Sequence, residues 1–284
     1  MAGTDAQAAA AWHEPVGELL SRGVDERGAP VSVRRVRPGV AELSWTSSPP
    51  DGGAPASPGV RAAVEQAFAG GLVRVESRVP VTELDRVRTA ARAGLRREGV
   101  LRGGADSHDT LLLARLAGDP APDTRDGFMA MLNAGLPTKR VISHGLLRDP
   151  AGRVLLCELT YKPEWDLPGG VVEPGESPRE GVRREVREEI GLDVESPRLV
   201  TVNWLPSWRS WDDACVFVFD LGVHDPTVTD RLTLQPTEIA AVHWCDVAEV
   251  ARHAAAATAR LLAYLAELPA GSPYLEGGAD VTGP

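Results

Sequence analysis

The chain has 284 residues, 43% of them hydrophobic and 25% charged, with a formal net charge of −10 at pH 7. Length and composition suit one large or two modest domains of ordinary globular protein. The acidic balance excludes general nucleic-acid binding, which needs a basic face, but leaves room for a nucleotide whose phosphates a metal ion neutralises.

Residues 1 to about 30 carry little pattern, and disorder is expected over part of them. The opening MAGTDAQAAAAWHEP has neither the basic segment nor the apolar core of a secretory signal. No apolar run approaches membrane length, so a cytoplasmic setting without membrane attachment is expected. Strands are predicted over 31–36 and 40–45, and SSPPDGGAPASPG at 47–59 is a loop. A helix over 60–69, a strand over 72–79, a helix over 82–95 and two strands over 98–102 and 109–116 follow. GDPAPDTRDG, 118–127, reads as a linker, having prolines, glycines and charges without apolar content.

The strand RVESRV and the ending AGLRREGVLRG, within 60–116, resemble the C-terminal half of a GNAT-type acetyltransferase. The resemblance implies a small α/β domain over 1–117. The family's phosphate-binding loop is replaced here by DGGAPASPG, whose prolines remove N–H donors, and VPVTELD stands where an Asn is usual. The stretch upstream is also short for the family's first strands and helices. The segment therefore reads as a reduced acetyltransferase-like domain with a docking or substrate-covering role. Acetyl-coenzyme A binding is the alternative.

From Phe128 the pattern becomes that of an α/β sandwich. Residues 139–147 and 153–159 alternate apolar positions around the turn DPAG and predict a hairpin. Trp165 and Leu167 lead into a Gly/Pro-rich loop and then a helix over 178 to about 190. Ser177 is placed to cap it, with Glu180 three residues on as a capping box. Pro178 falls at the first helical position, and Gly191 is placed to end the helix in the left-handed conformation. Val182, Val186 and Ile190 form the buried stripe. Strands over 199–205, 213–221 and 239–244 follow, then a single helix over 246–268 with Asp246 as its cap. Cys157, Cys215 and Cys245 sit in apolar runs without metal-ligand spacing and read as small buried hydrophobes in a reducing compartment.

Glu185, Glu188 and Glu189 share one face of the predicted helix, and like charges at that spacing repel. Arg184 and Arg187 offset them in part. A hard divalent cation does so better, because it prefers carboxylate oxygens together with substrate phosphates. The competing reading is a solvated, salt-bridged helix with Glu180–Arg184 and Arg184–Glu188 pairs.

Residues 170–192, GVVEPGESPREGVRREVREEIGL, fit Gly-x5-Glu-x7-Arg-Glu-hydrophobic-x-Glu-Glu-x-Gly-hydrophobic at Gly170, Glu176, Arg184, Glu185, Val186, Glu188, Glu189, Gly191 and Leu192. This stretch resembles the Nudix box of hydrolases that cleave a diphosphate linked to another moiety. The resemblance covers roughly 128–270 and implies a Nudix α/β/α sandwich with a mixed sheet, followed by a tail over 271–284. It implies Mg²⁺ or Mn²⁺ as the cofactor, held by Glu185, Glu188 and Glu189 with the Gly170 carbonyl. Glu185 and Glu189 are the first choices as ligands. The base is Glu185, Glu188 or a loop carboxylate outside the box. Arg184 orients a neighbouring Glu by a bidentate pair, and Glu176 acts behind the ligands or holds the loop. The family also often dimerises.

Outside the box, Glu238 stands where relatives carry a further ligand or base, or else is an exposed loop acid. Trp204, Trp208, Arg209 and Trp211 are nominated to face a flat substrate group, against simple packing. Asp212 and Asp213 read as strand terminators, His144 and His243 as structural. Tyr274 and Leu275 pack back on the domain or mark an interface. The expectation is a metal-dependent hydrolase of a nucleoside-diphosphate-linked compound. The alternative is a nucleotide sensor without turnover.

Overall fold

The computed structural model describes residues 17–24, 30–46, 57–103, 108–208, 211–267 and 274–280. The chain divides into two compact units, Met1–Pro137 and Thr138–Pro284.

The first unit contains β1 (Glu18–Val24), β2 (Pro30–Arg37), β3 (Val40–Trp45), α1 (Ser57–Ala69), β4 (Arg74–Pro80), α2 (Leu84–Arg92), β5 (Arg96–Leu101), β6 (Thr110–Leu116) and α3 (Arg125–Gly135). Its six strands are ordered β1-β2-β3-β4-β6-β5. The β3–β4 pair is parallel and registers only from Val40↔Arg74 to Glu42↔Glu76. Period-2 alternation turns Val31, Val33, Leu43, Trp45, Val75 and Val79 into one core with Val60, Val64, Ala90 and Leu95. On the other face the buried Glu76 carboxylate accepts hydrogen bonds from Arg37, Arg74 and Arg78, so its burial is compensated.

Two expectations change here. Glu18–Val24, in a stretch where order was not expected throughout, is a strand paired with β2. The segment read as a linker ends in α3, which belongs to the first unit, so the boundary falls after Pro137. The Thr124 hydroxyl caps α3 by accepting from the Gly127 amide at 3.1 Å. The apolar residues that would have signalled this helix, Phe128 and Leu132, lie beyond the charged cap. The loop that stands in place of a phosphate-binding loop lies, from 47 to 56, outside the described residues.

The second unit contains β7 (Arg140–Arg148), β8 (Val154–Leu159), β9 (Gly169–Val171), α4 (Pro178–Ile190), β10 (Arg198–Leu205), β11 (Ala214–Val223), β12 (Ile239–Cys245), α5 (Val247–His253), α6 (Ala256–Glu267), β13 (Tyr274–Glu276) and β14 (Ala279–Asp280). The sheet runs β12-β8-β7-β11-β10-β13-β14 and is mixed, with β7 parallel to β11 and β10 parallel to β13. Alternate residues of each strand feed opposite faces. Leu147, Leu155 and Phe219 pack against Val182, Val186 and Ile190 of α4. Leu146, Leu156 and Val218 pack against Val250 of α5 and Leu261, Leu262 and Leu265 of α6. This is a helix–sheet–helix sandwich.

The expected hairpin of β7 and β8 meets only at Arg148↔Val154. The start of β7 pairs instead with β9, Ser143 opposite Gly170 and His144 opposite Gly169. That split edge admits the box loop into the sheet. The single helix expected over 246–268 is two helices. Asp246 does cap α5 in a capping box, but Ala254 is extended and bridges to Trp165, whose amide bonds the His253 carbonyl at 3.0 Å. The residues expected as a tail return to the sheet as β13 and β14, and Leu275 is fully buried in the core. Among the described residues no helix is long and apolar enough to cross a membrane.

Candidate active site

The helix α4 begins as its sequence demands. The Ser177 hydroxyl accepts from the Glu180 amide, and the Glu180 carboxylate accepts from the Ser177 amide at 3.0 Å. Gly191 closes the helix at φ 70°. Val182, Val186 and Ile190 are fully buried and fix the rotation of the helix. That rotation brings Glu189 against Gly169 and Glu185 against Gly170 of β9.

Glycine is required at Gly169 of β9, and at Gly170 its lack of a side chain leaves room for Glu185. Gly169 has φ 138°, and a Cβ there would lie 2.1 Å from the Ser143 carbonyl oxygen. At Gly170 a Cβ would lie 2.6 to 2.9 Å from the Glu185 carboxyl group. The backbone at Gly170 therefore runs against the Glu185 carboxylate.

Glu189 is 5% exposed, and its carboxylate accepts a 2.7 Å hydrogen bond from the Gly169 amide. Burial pushes the Glu189 carboxyl up to about 8; the Gly169 amide acts against the shift, and Glu185, Glu238 and Asp166 add to it. Burial raises Glu185 also, opposed by Arg184.

Arg184 gathers the other acids. Its guanidinium grips both oxygens of Glu176, at 3.0 and 3.1 Å, and donates to Glu185 at 2.9 Å, to Glu188 at 3.0 Å and to the Val171 carbonyl at 3.1 Å. Arg184 holds the Glu176 carboxyl below its usual range. Glu176 also accepts from the Glu173 amide at 3.0 Å, so it fixes both the loop and the arginine. The Glu180–Arg184 pair of the salt-bridged-helix reading is absent among the described contacts of Glu180, which bonds Ser177.

These groups line one cavity of about 560 Å³, bounded by Tyr161, Gly169, Gly170, Val171, Arg184, Glu185, Glu188, Glu189, Gln235 and Glu238. That size is in the range of small-molecule sites. Glu238 is thus brought to the box acids across 49 residues of chain. As they stand, no three acidic, imidazole or thiol side chains among the described residues converge on a single ion-sized point. A buried carboxylate with other carboxylates beside it is nonetheless the donor chemistry of a hard cation.

The tryptophans nominated as substrate-facing are not in the cavity wall. Trp208 and Trp211 are exposed and pair backbone to backbone. Arg140 stacks on Trp211 at 4.8 Å. Trp204 donates to Asp213, which also pairs with Lys139, so Asp213 is engaged away from the carboxylates. Arg209 lies outside the described residues. His144 is half-buried near Asp166 and Lys162, and His243 bonds Glu158; both are structural. Sequence reasoning missed Tyr161 and Gln235. No motif marks either; Gln235 arrives because its amide bonds the Glu189 carbonyl at 2.8 Å.

The family model that matches the chain is the NUDIX domain, over residues 138–265. The match falls on the part of the chain that carries the cavity. Its limits coincide at the start with the second compact unit. Similar proteins include an uncharacterized Nudix hydrolase of Rhodococcus erythropolis, 33% identical over 94 residues, 31% of this chain and 48% of that protein. A MutT-like protein of Streptomyces ambofaciens is 41% identical over 66 residues, 23% of this chain and 43% of that protein. A nucleoside triphosphatase of Enterobacter sp. is 43% identical over 76 residues, 25% of this chain and 50% of that protein. The chain thus spans half or less of the length of these relatives. Among solved structures, a MutT protein of Methanosarcina mazei is 24% identical with a TM-score of 0.39, over 46% of this chain and 96% of that one.

Proposed function

We propose that the NUDIX domain hydrolyses the diphosphate bond of a nucleoside diphosphate linked to another moiety, by attack of water on phosphorus, with Mg²⁺ or Mn²⁺. The observation that carries this reading is the convergence of Gly170, Glu185, Glu188, Glu189 and Glu238 on one nucleotide-sized cavity. A relative named a nucleoside triphosphatase supports the substrate class.

Glu185 and Glu189 would hold the ion, with Glu188 and the Gly170 carbonyl as further donors. When bound, a divalent ion neutralises phosphate oxygens and lowers the pKa of water. The chain's own residues do the rest. Arg184 fixes Glu185 and Glu188 in place, and Glu176 fixes Arg184. Glu188, whose side chain is 57% exposed, and Glu238 reach the open part of the cavity. Either they or Glu185 receive the proton of the attacking water. The half-buried backbone of Gly169 and Gly170 lets a phosphate approach without side-chain obstruction. Three free thiols, at Cys157, Cys215 and Cys245, suit the cytoplasmic setting of the proposal.

For the first unit the proposal is a reduced acetyltransferase-like domain. RVESRV lies on β4, AGLRREGVLRG spans β5, and the parallel β3–β4 pair separates beyond Glu42↔Glu76. Titration of the chain with acetyl-coenzyme A by calorimetry separates a binding domain from one that binds nothing.

The functional test is phosphate or nucleoside monophosphate release from a panel of diphosphate compounds with Mg²⁺, comparing the wild type with Glu188→Gln. Release from one compound class, lost in the variant, is expected. Binding of the panel without turnover would favour the sensor reading.

A further inference from the structure

Three acids of the cavity are already held by the protein. Glu185 and Glu188 accept from Arg184, and Glu189 accepts from the Gly169 amide. Glu238 differs in kind. Its exposed carboxylate has no hydrogen bond or ion pair among the described residues, while the backbone that carries it is bonded on both sides.

Toward α4, the Thr233 amide bonds the Ile190 carbonyl at 3.1 Å and the Gln235 amide bonds the Glu189 carbonyl at 2.8 Å. The loop thus takes up carbonyls that the end of the helix leaves unpaired. Toward the end of β8, the Thr160 hydroxyl donates to the Thr237 carbonyl at 2.7 Å, and the Thr160 amide donates to the Glu238 carbonyl at 2.9 Å. One residue therefore holds the peptide groups before and after Glu238.

Between these anchors Gln235 closes a turn. Its carbonyl accepts from the Glu238 and Ile239 amides at 3.1 and 2.8 Å. Its side-chain oxygen accepts from the Thr237 amide at 3.0 Å and from the Thr237 hydroxyl at 2.5 Å. Ile239, the next residue after Glu238, is buried in the core. An unengaged carboxylate on a fixed backbone meets a ligand without leaving another partner, and it gives up little freedom in doing so.

We propose that Thr160, Gln235 and Thr237 are positioning residues that aim the Glu238 carboxylate at the attacking water. This rests on the diphosphate reading above, which leaves Glu185, Glu188 and Glu238 as acceptors of the water's proton. Glu185 and Glu188 share the Arg184 guanidinium; Glu238 is unengaged and takes that part. The water O–H bond breaks and its proton passes to Glu238, the oxygen bonds to phosphorus, and the bridging oxygen leaves on the other phosphate. Thr160 and Thr237 do not line the cavity. They act by fixing where Glu238 stands, and a displacement of about 1 Å at such a group can lower a rate about a hundredfold.

The test is a double-mutant cycle on the compound that the wild type hydrolyses, with Mn²⁺ affinity measured on every variant. Thr160→Val keeps the amide and the size of the side chain but removes the hydroxyl donor. It should lower kcat about tenfold with KM within about twofold of the wild type, and Thr160→Ser should restore the rate. In a Glu238→Gln background Thr160→Val should lower the rate no further, and Thr237→Val should behave in the same way. Mn²⁺ affinity should stay at the wild-type value throughout. Thr160 and Thr237 are exposed, so these variants should fold. An equal loss from Thr160→Val with and without Glu238 would overturn the proposal, because the hydroxyl would then serve the loop and not the carboxylate. So would a wild-type kcat in Glu238→Gln, or a loss of Mn²⁺ affinity in that variant, which would make Glu238 a ligand. A wild type that hydrolyses no compound of the panel would remove the diphosphate reading itself, and the proposal with it.

Discussion

The Gly169 amide donates a 2.7 Å hydrogen bond to the Glu189 carboxylate, joining the strand ahead of α4 to the last turn of that helix. The bond gives Glu189 a structural tie as well as a chemical part. Glu189→Gln keeps an oxygen that can accept from Gly169 but removes the charge. Turnover should fall about a hundredfold or more, with thermal stability maintained. Hydrolysis rates and Mn²⁺ binding measured on the same preparation check this. Near-normal activity would mean that Glu189 is no ligand.

Gly170→Ala should act through Glu185. The added Cβ would lie 2.6 to 2.9 Å from the Glu185 carboxyl, at the end of a partly exposed side chain that can move aside. Activity should therefore drop much further than stability. Gly145→Ala is the contrast, because its Cβ would lie 2.3 Å from buried Leu221 and 3.3 Å from Val186. Overpacking there should cost roughly 1–3 kcal/mol, read by denaturant unfolding.

Arg184→Lys should not be conservative. A lysine ammonium offers a point charge where the guanidinium spans Glu176, Glu185, Glu188 and the Val171 carbonyl. Metal affinity or turnover should fall by roughly 10- to 100-fold, as for partners that orient metal ligands. Full activity in the lysine variant would show that the shared grip on three acids is dispensable.

His144 should make the domain acid-sensitive. Burial lowers its pKa from the usual 6.5, with Asp166 working against that shift and Lys162 with it. A base with a depressed folded pKa binds fewer protons folded than unfolded, so stability is full above about 6.5 and is lost as pH falls below it. Glu189, pushed up to about 8, titrates with the opposite sign, losing stability as pH rises. The comparison is therefore made in a Glu189→Gln background without added metal. Melting temperature should decline between pH 6.5 and 5, and His144→Gln should flatten that slope. An unchanged slope would assign the acid sensitivity to other groups.

The parts of this protein that the sequence determined by itself are local ones. Ser177, Glu180 and Gly191 cap α4 as their spacing dictates, and Val182, Val186 and Ile190 orient it, because each of these interactions closes within one or two helical turns. The same holds for placing Glu185, Glu188 and Glu189 on one face. What the tertiary structure decided rests on contacts between distant residues. Ala254 is pulled out of a helical run by Trp165, which no helical periodicity records. The charged, proline-containing run ahead of Phe128 masks α3, whose apolar residues Phe128, Met129 and Leu132 stay exposed in the folded chain. Gln235 enters the cavity through the Glu189 carbonyl, Glu238 through its carbonyl's bond to Thr160, and Tyr161 through the loop those bonds fix. The tryptophans have the composition of a stacking surface, but the folded chain leaves them out of the cavity wall. Helix chemistry is written in neighbouring residues, whereas the far wall of a cavity exists only after strands and loops have come together.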